Sequence, residues 1–182
     1  NQKISIMKCR WSQDLYTKAY QYTAKAHNGQ LLPESELPDI VHLSLVSMEI
    51  MAALTEDYRK LDGNLPIQCA LLHDTIEDAG ISYYEICDVF GQRVADGVNA
   101  LSKRSMFATQ KEKMMDSLVR IKTQPIEVWM VKLADRITNL MPPPAHWNEE
   151  KIENYREEAK LIYTELKDAS ESLASRLSMK IE

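Results

Sequence analysis

Only three cysteines, Cys9, Cys69 and Cys87, occur in the 182 residues. Their number is odd and no C-x-x-C spacing links them, which argues against a disulfide framework or a zinc knuckle and fits a reducing cytoplasm. Runs of lysine and arginine are missing as well. With 22 basic against 27 acidic side chains and a formal net charge of −5, broad binding to a nucleic-acid backbone is not expected. No uncharged apolar stretch is long enough to span a bilayer, and the opening residues NQKISIMKCRW lack the apolar core of a signal peptide. A soluble protein without a membrane partner is expected. Strand signals are scarce: the Val, Ile, Thr and aromatic residues fall in helical period, and no Asn-Gly or Asp-Gly turn lies between alternating runs. There is no internal repeat and no low-complexity segment.

What is present is 45% apolar and 27% charged, the balance of one globular domain over residues 1–182 with a sizeable core. The pattern is almost wholly helical. Ser12 is an N-cap for a helix that ends at Asn28-Gly29. Pro38 stands at the first position of a helix DIVHLSLVSMEIMAAL, apolar all round and so expected in the core. A third helix runs from about Pro66 to Ala79-Gly80. Ser82-x-x-Glu85 has the spacing of a capping box and opens a fourth, which stops at Gly91. VADGVNAL reads as a short fifth and KEKMMDSLVRIK as an exposed sixth. Pro125 opens a seventh, IEVWMVKLADRITNL, halted by the prolines at 142–144. Ile152, Tyr155, Ala159, Ile162, Leu166, Ala169 and Leu173 recur at three and four residues, which predicts one long amphipathic helix over 148–177, capping a helical core over 12–140. Its apolar stripe leaves homo-oligomerisation open. Met48, Met51, Met114, Met115, Met130 and Met141 read as core packing.

The segment LLHDTIEDAG, residues 71–80, puts His73, Asp74, Glu77 and Asp78 directly behind two leucines. On a continuous helix His73 and Glu77 stand four apart, as do Asp74 and Asp78, so the two pairs form adjacent stripes. Burying carboxylates costs several kcal/mol, at roughly that order per ion, unless a cation or hydrogen-bond partner compensates. Imidazole with carboxylate is a donor set suited to Mn²⁺, Fe²⁺ or Zn²⁺. Two further ionisable groups are stranded in apolar helices: His42 in DIVHLSLV and Asp135 in VKLADRITNL. Gathered by three helices, His42, His73, Asp74 and Asp135 would enclose one ion, with Glu77 and Asp78 a turn further on. Taken singly, each has a plainer explanation. His42 could be a hydrogen-bonded core histidine, Asp135 could pair with Lys132 or Arg136, and Glu77-Asp78 could decorate a helix end.

The order H…HD…D resembles that of the HD-domain metal-dependent phosphohydrolases, and more closely the hydrolase domain of the RelA/SpoT alarmone enzymes and their stand-alone relatives, the small alarmone hydrolases. Five blocks carry the likeness in order: AKAHNGQ (24–30), DIVHLSLVSMEIM (39–51), CALLHDTIEDAGIS (69–82), FGQRVADGVNALSK (90–103) and VKLADRITNL (131–140). PPPAHW (142–147) and the final helix resemble the C-terminal part of the stand-alone members. The resemblance implies an all-α HD-domain helical bundle around a single buried metal site. It implies Mn²⁺ held by His42, His73, Asp74 and Asp135, with Glu77 and Asp78 activating or orienting the attacking water. It implies that Asn139 contacts ribose and phosphate, and that Ser102 and Lys103 lie at the cleft edge, Lys103 as a phosphate contact.

The implied reaction removes the 3′-diphosphate of guanosine tetra- and pentaphosphate, giving GDP or GTP and pyrophosphate, with no room for a synthetase domain. The chain departs from the family before the first histidine. There LLPESELPDIVH stands where an Arg-Lys pair and a Gly-x-Pro-Tyr approach are usual, and Lys25 is the nearest basic side chain to compensate. Relatives that act on NADPH, or that remove pyrophosphate from tRNA 3′ ends as antitoxins, would use the same centre. A silent nucleotide-binding module would not need all of His42, His73, Asp74, Glu77, Asp78 and Asp135.

Overall fold

A computed structural model of the chain describes residues 11–57, 59, 61–140 and 147–182. Among the described residues ten α-helices follow one another: α1 Gln13–Ala26, α2 Ile40–Glu56, α3 Asn64–Leu72, α4 Thr75–Asp78, α5 Tyr83–Phe90, α6 Gln92–Leu101, α7 Gln110–Lys122, α8 Ile126–Asn139, α9 Glu149–Leu166 and α10 Glu171–Ile181. Among the described residues there is no strand, only an isolated antiparallel bridge between Leu31 and Pro38. The fold is all-α, as expected. No described helix is long and apolar enough to cross a membrane.

Side-chain caps start the helices where the sequence places them. Ser12, Ser82 and Asn148 each accept the backbone N–H three residues on, from Leu15, Glu85 and Lys151. At Ser82 the box is half closed, because the Glu85 carboxylate instead accepts the Tyr22 hydroxyl at 2.9 Å. The full capping box is at Thr109 and Glu112, in front of α7.

α3 is the axis of the core, with every residue from Leu65 to Leu72 buried. It packs against α1, α2, α6 and α8. Fully burying a Leu or Ile side chain is worth roughly 1.5–3 kcal/mol, and Ile67, Leu71 and Leu72 are at most 1% exposed, so the end of α3 is firmly held. α6 comes close enough that a Cβ on Gly97 would stand 2.7 Å from the Cys69 sulfur and 3.1 Å from Val128. That position accepts only a glycine without displacement.

Two predicted continuous helices are broken. The third ends at Leu72, and α4 restarts at Thr75. His73 Nδ1 engages the Ala70 carbonyl at 2.8 Å and the Thr75 hydroxyl donates to the Leu72 carbonyl at 2.6 Å. Side chains thus take carbonyls that a continuing helix would give to backbone N–H groups. The long terminal helix is also two, separated by a 3₁₀ turn at Lys167–Ala169 and restarted by Ser170, whose hydroxyl accepts from Leu173 N–H. α10 folds back onto α8 and α2, where Arg176 grips both oxygens of the buried Glu49 at 2.8 and 2.7 Å.

Smaller departures are physical too. α2 starts at Ile40 rather than Pro38 and is not wholly interior, since Leu45 and Met48 are 42% and 43% exposed. Met115 is equally exposed, so neither it nor Met48 is core packing, whereas Met114 and Met130 are buried. α7 is not simply exposed: it buries Met114, Ser117, Leu118 and Ile121. Cys9, Met141 and the prolines at 142–144 lie outside the described residues; Cys69 and Cys87 are free thiols.

Candidate metal centre

Three structural elements converge on one point. His73 and Asp74 sit in the bend between α3 and α4, His42 projects from α2, and Asp135 comes from α8. One ligand atom each of His42, His73 and Asp135 lies within 4.8 Å of the others. Asp135 Oδ1 is 3.3 Å from His42 Nε2 and 3.7 Å from His73 Nε2. Asp74 flanks the trio, with Oδ1 3.2 Å from His73 Nε2 and Oδ2 3.9 Å from His42 Nε2. A divalent ion with bonds of about 2.1 Å needs neighbouring donors roughly 3–3.5 Å apart, a spacing that His42, His73 and Asp135 approach as a trio, with Asp74 beside them.

The surroundings prepare these atoms as donors. The His73 Nδ1 contact with Ala70 O turns Nε2 toward the carboxylates, and Nε2 is buried with no hydrogen-bond partner. His42 Nδ1 stands 3.3 Å from the Thr138 hydroxyl, which itself donates to the Asp135 carbonyl at 2.9 Å, so Nδ1 carries the proton and Nε2 is left as an acceptor. Asp135 is held at both oxygens: Lys132 Nζ donates to Oδ2 at 2.9 Å and Asn139 Nδ2 to Oδ1 at 2.6 Å. An orphaned imidazole nitrogen facing two carboxylates fits a divalent cation.

The electrostatics agree. Burial pulls the His73 pKa down, but Asp74 and Asp135 outweigh it and push the imidazole up to about 9. Burial would raise Asp135, yet Lys132 and then the two histidines hold it well below the usual carboxylate range. In the metal-free chain a proton on His73 therefore stands in for the cation. Because its folded pKa lies above the ordinary value near 6.5, protonation stabilises the metal-free fold below that pH, and the contribution is lost as pH rises through about 9. Divalent ions must expel this proton. Metal affinity is expected to rise about tenfold per pH unit between neutrality and pH 9, with proton release in titration calorimetry across buffers of different ionisation enthalpy. Affinity independent of pH over that range would remove His73 from the ligand set.

The centre opens into a cleft of about 650 Å³, lined also by Glu77, Asp78, Lys103, Asn139 and Lys132. Glu77 Oε2 accepts the Lys103 backbone N–H at 2.8 Å. Asp78 is pushed above its ordinary pKa by burial first and by Asp74, Glu77 and Asp39 next. Two expected substrate contacts lie elsewhere. Ser102 ends α6 with its side chain buried and its hydroxyl donating to Val98 O at 2.8 Å, so it faces inward. Lys25 lines a separate surface hollow with Tyr20, Gln21 and Asn28. Conversely, Lys132 is 5% exposed and paired with Asp135 inside the site. The pairing with Lys132, the plainer explanation of Asp135 in the sequence, thus coexists with its place among the candidate ligands; Val131 and Leu133 on either side of the lysine are buried with it.

Known proteins resemble this chain in sequence and fold. A family model described as "HD domain" matches residues 19–172. A "GTP pyrophosphokinase" of Myxococcus xanthus is 40% identical over 161 residues, which is 84% of this chain and 20% of the relative. The "Bifunctional (p)ppGpp synthase/hydrolase SpoT" of Escherichia coli K12 is 34% identical over 128 residues, 68% of this chain and 17% of the relative. The chain thus spans about a fifth of the length of these curated relatives. A solved structure described as "A metazoan ortholog of SpoT hydrolyzes ppGpp and plays a role in starvation responses" superposes with a TM-score of 0.77 at 23% identity, covering 93% of this chain and 95% of that one. The lmo0812 protein of Listeria monocytogenes gives 0.61 at 16% identity over 81% of this chain. A matched stretch running from α1 into α10, together with two histidines and an Asp-bearing helix gathered at one point, makes the chain a member of the HD-domain family.

Proposed function

We propose that the chain is a Mn²⁺-dependent phosphohydrolase that removes the 3′-diphosphate of guanosine tetra- and pentaphosphate, releasing pyrophosphate. The observation that carries this reading is the buried, unpartnered His73 Nε2 set among His42, Asp74 and Asp135 at the floor of a cleft with further carboxylates. The names of the relatives, several of them 3′-pyrophosphohydrolases, supply the substrate class.

His42, His73, Asp74 and Asp135 would hold the ion. A divalent ion there supplies Lewis acidity toward a phosphoryl oxygen and makes water more acidic. Glu77, fixed through one oxygen by Lys103 N–H, takes the proton of the attacking water with the other. The new O–P bond forms as the bond between phosphorus and the ribose 3′-oxygen breaks. Asp78, whose hold on a proton is strengthened by burial and then by its acidic neighbours, returns a proton to that oxygen. The Lys103 ammonium and the Asn139 amide meet the phosphate and the ribose.

The test is pyrophosphate release from guanosine 3′,5′-bis(diphosphate) by purified chain, with Mn²⁺ and after chelation, and with NADPH in parallel. Release that depends on metal and is confined to the guanosine nucleotide is expected. No release from metal-loaded chain, or phosphate release from NADPH alone, would replace this substrate assignment.

A further inference from the structure

Glu77 is weakly supported by its own helix. α4 is a single turn, Thr75–Asp78, and the Glu77 side chain is exposed. Among the described residues its carboxylate makes one hydrogen bond, Oε2 accepting the Lys103 backbone N–H at 2.8 Å. The carboxylate is therefore held only as firmly as the Lys103 peptide is. That peptide is trans, so the Lys103 N–H and the Ser102 carbonyl point to opposite sides of one rigid plane. Arg120, in the last turn of α7, takes the far side: its Nη2 donates to Ser102 O at 2.7 Å. A guanidinium and a carboxylate thus grip the two ends of a single peptide unit.

An arginine beside a helix end is ordinarily a cap for the last carbonyls, and Arg120 does this too. Its Nη1 donates to Asn99 O and, at 3.1 Å, to Ala100 O. The Ser117 hydroxyl also donates to Ala100 O, at 2.9 Å, so the end of α6 is capped without Nη2. The bond to Ser102 O goes further, because Ser102 has left the helix, with ψ at 136°. Asp116 aims the guanidinium: its Oδ2 accepts from Nε at 2.8 Å and lies 2.7 Å from Nη2, and the two side chains are only 15% and 17% exposed. A charge-assisted bond to a carbonyl polarises the peptide and strengthens donation from its N–H. Arg120 therefore both places the donor that Glu77 meets and makes it a better one.

Resting on the phosphohydrolase reading above, we infer that Arg120 is a positioning residue for the hydrolysis: through the Ser102–Lys103 peptide it fixes the Glu77 carboxylate at the water and the Lys103 side chain at the cleft. Arg120 is not part of the cleft lining, and it acts on the reaction only through that peptide.

The experiment is a double-substitution cycle on Mn²⁺-loaded chain, reading pyrophosphate release from guanosine 3′,5′-bis(diphosphate). Arg120→Met, similar in length and without donors, should lower kcat by about 10–100-fold, the scale of a misplaced catalytic group, and raise KM, with metal content unchanged. Arg120→Lys, which can still donate to Ser102 O, should recover most of kcat. In the Glu77→Gln background, where no base is left to position, Arg120→Met should raise KM and leave kcat as it is; a purely structural arginine would cost the same factor in both backgrounds. Hydrogen exchange over residues 101–106, read by mass spectrometry, needs no substrate: the Lys103 amide should exchange at least about tenfold faster in Arg120→Met than in wild type. Equal factors in the two backgrounds, loss of the ion, or unchanged exchange at Lys103 overturns this inference and leaves the phosphohydrolase reading intact. Faster exchange with no pyrophosphate release from wild type supports the grip on Lys103 and overturns the substrate assignment instead. Should Arg120→Met fail to fold, Arg120→Lys carries the same cycle, with smaller losses in the same pattern expected and equal factors again overturning the inference.

Discussion

Replacing His73 by alanine strips the chain of its divalent ion and of pyrophosphate release together; this is the largest effect expected of any single change. Nε2 of His73 is the buried donor with no other partner, and it stands between Asp74 and Asp135 at 3.2 and 3.7 Å. Losing it removes a bond to the ion and leaves two carboxylates facing one another without the imidazolium that otherwise separates them. Substitutions one shell further out commonly cost about 10–100-fold in metal affinity, so loss of a direct donor should exceed about 100-fold. Asp74→Asn should give the same joint loss with almost no change of shape, because it exchanges a charged oxygen for a weaker neutral one. Metal content after gel filtration and pyrophosphate release decide the matter, with circular dichroism to confirm that the helices persist. Retention of metal by Asp74→Asn would reduce the cage to His42, His73 and Asp135, the three that lie mutually within 4.8 Å.

The fold class was legible because helix signals in this chain are local. Ser12, Ser82 and Asn148 are hydroxyl or amide caps in front of periodic apolar runs, and each caps the helix it announces. The breaks were not legible, for a reason of the same kind. Apolar spacing runs unbroken from Ile152 through Leu166 to Leu173, so periodicity alone cannot show that the chain turns at Lys167–Ala169. The sign lay in Ser170-Glu171, a second cap inside the stripe. At the other break, His73 and Thr75 were read as helical side chains, whereas they bind the carbonyls of Ala70 and Leu72. The candidate ligands could be named because ionisable groups in apolar helices are costly without partners. Their supports were less legible: Lys132 and Asn139 reach Asp135 from the same helix, and the apolar neighbours of Lys132 mark it as interior without showing which oxygen it meets. Ser102 was misread for lack of direction, since a helix-terminal serine is as well placed to bond back to Val98 O as to face a cleft.

Glu77→Ala is expected to leave the ion in place while lowering kcat by about 10²–10⁴-fold, the usual contribution of a positioned general base. Glu77 is not among the four proposed ligands, so affinity for the ion should change little. On the proposed mechanism its carboxylate has two duties that the alanine variant removes together: accepting a proton and accepting the Lys103 backbone N–H, the latter at 2.8 Å. Loss of the second alone could shift the loop after α6 and displace the Lys103 side chain from the cleft, which would raise KM. Glu77→Gln separates the two, because its amide oxygen can still receive Lys103 N–H but cannot take a proton from water. A general base requires that both variants lose kcat alike and that only the alanine variant also raises KM. Near-normal kcat in Glu77→Gln would reduce Glu77 to an anchor for Lys103. The proton would then pass to Asp78, whose raised pKa would appear as a shifted acidic limb in the pH–rate profile of the Glu77→Gln enzyme.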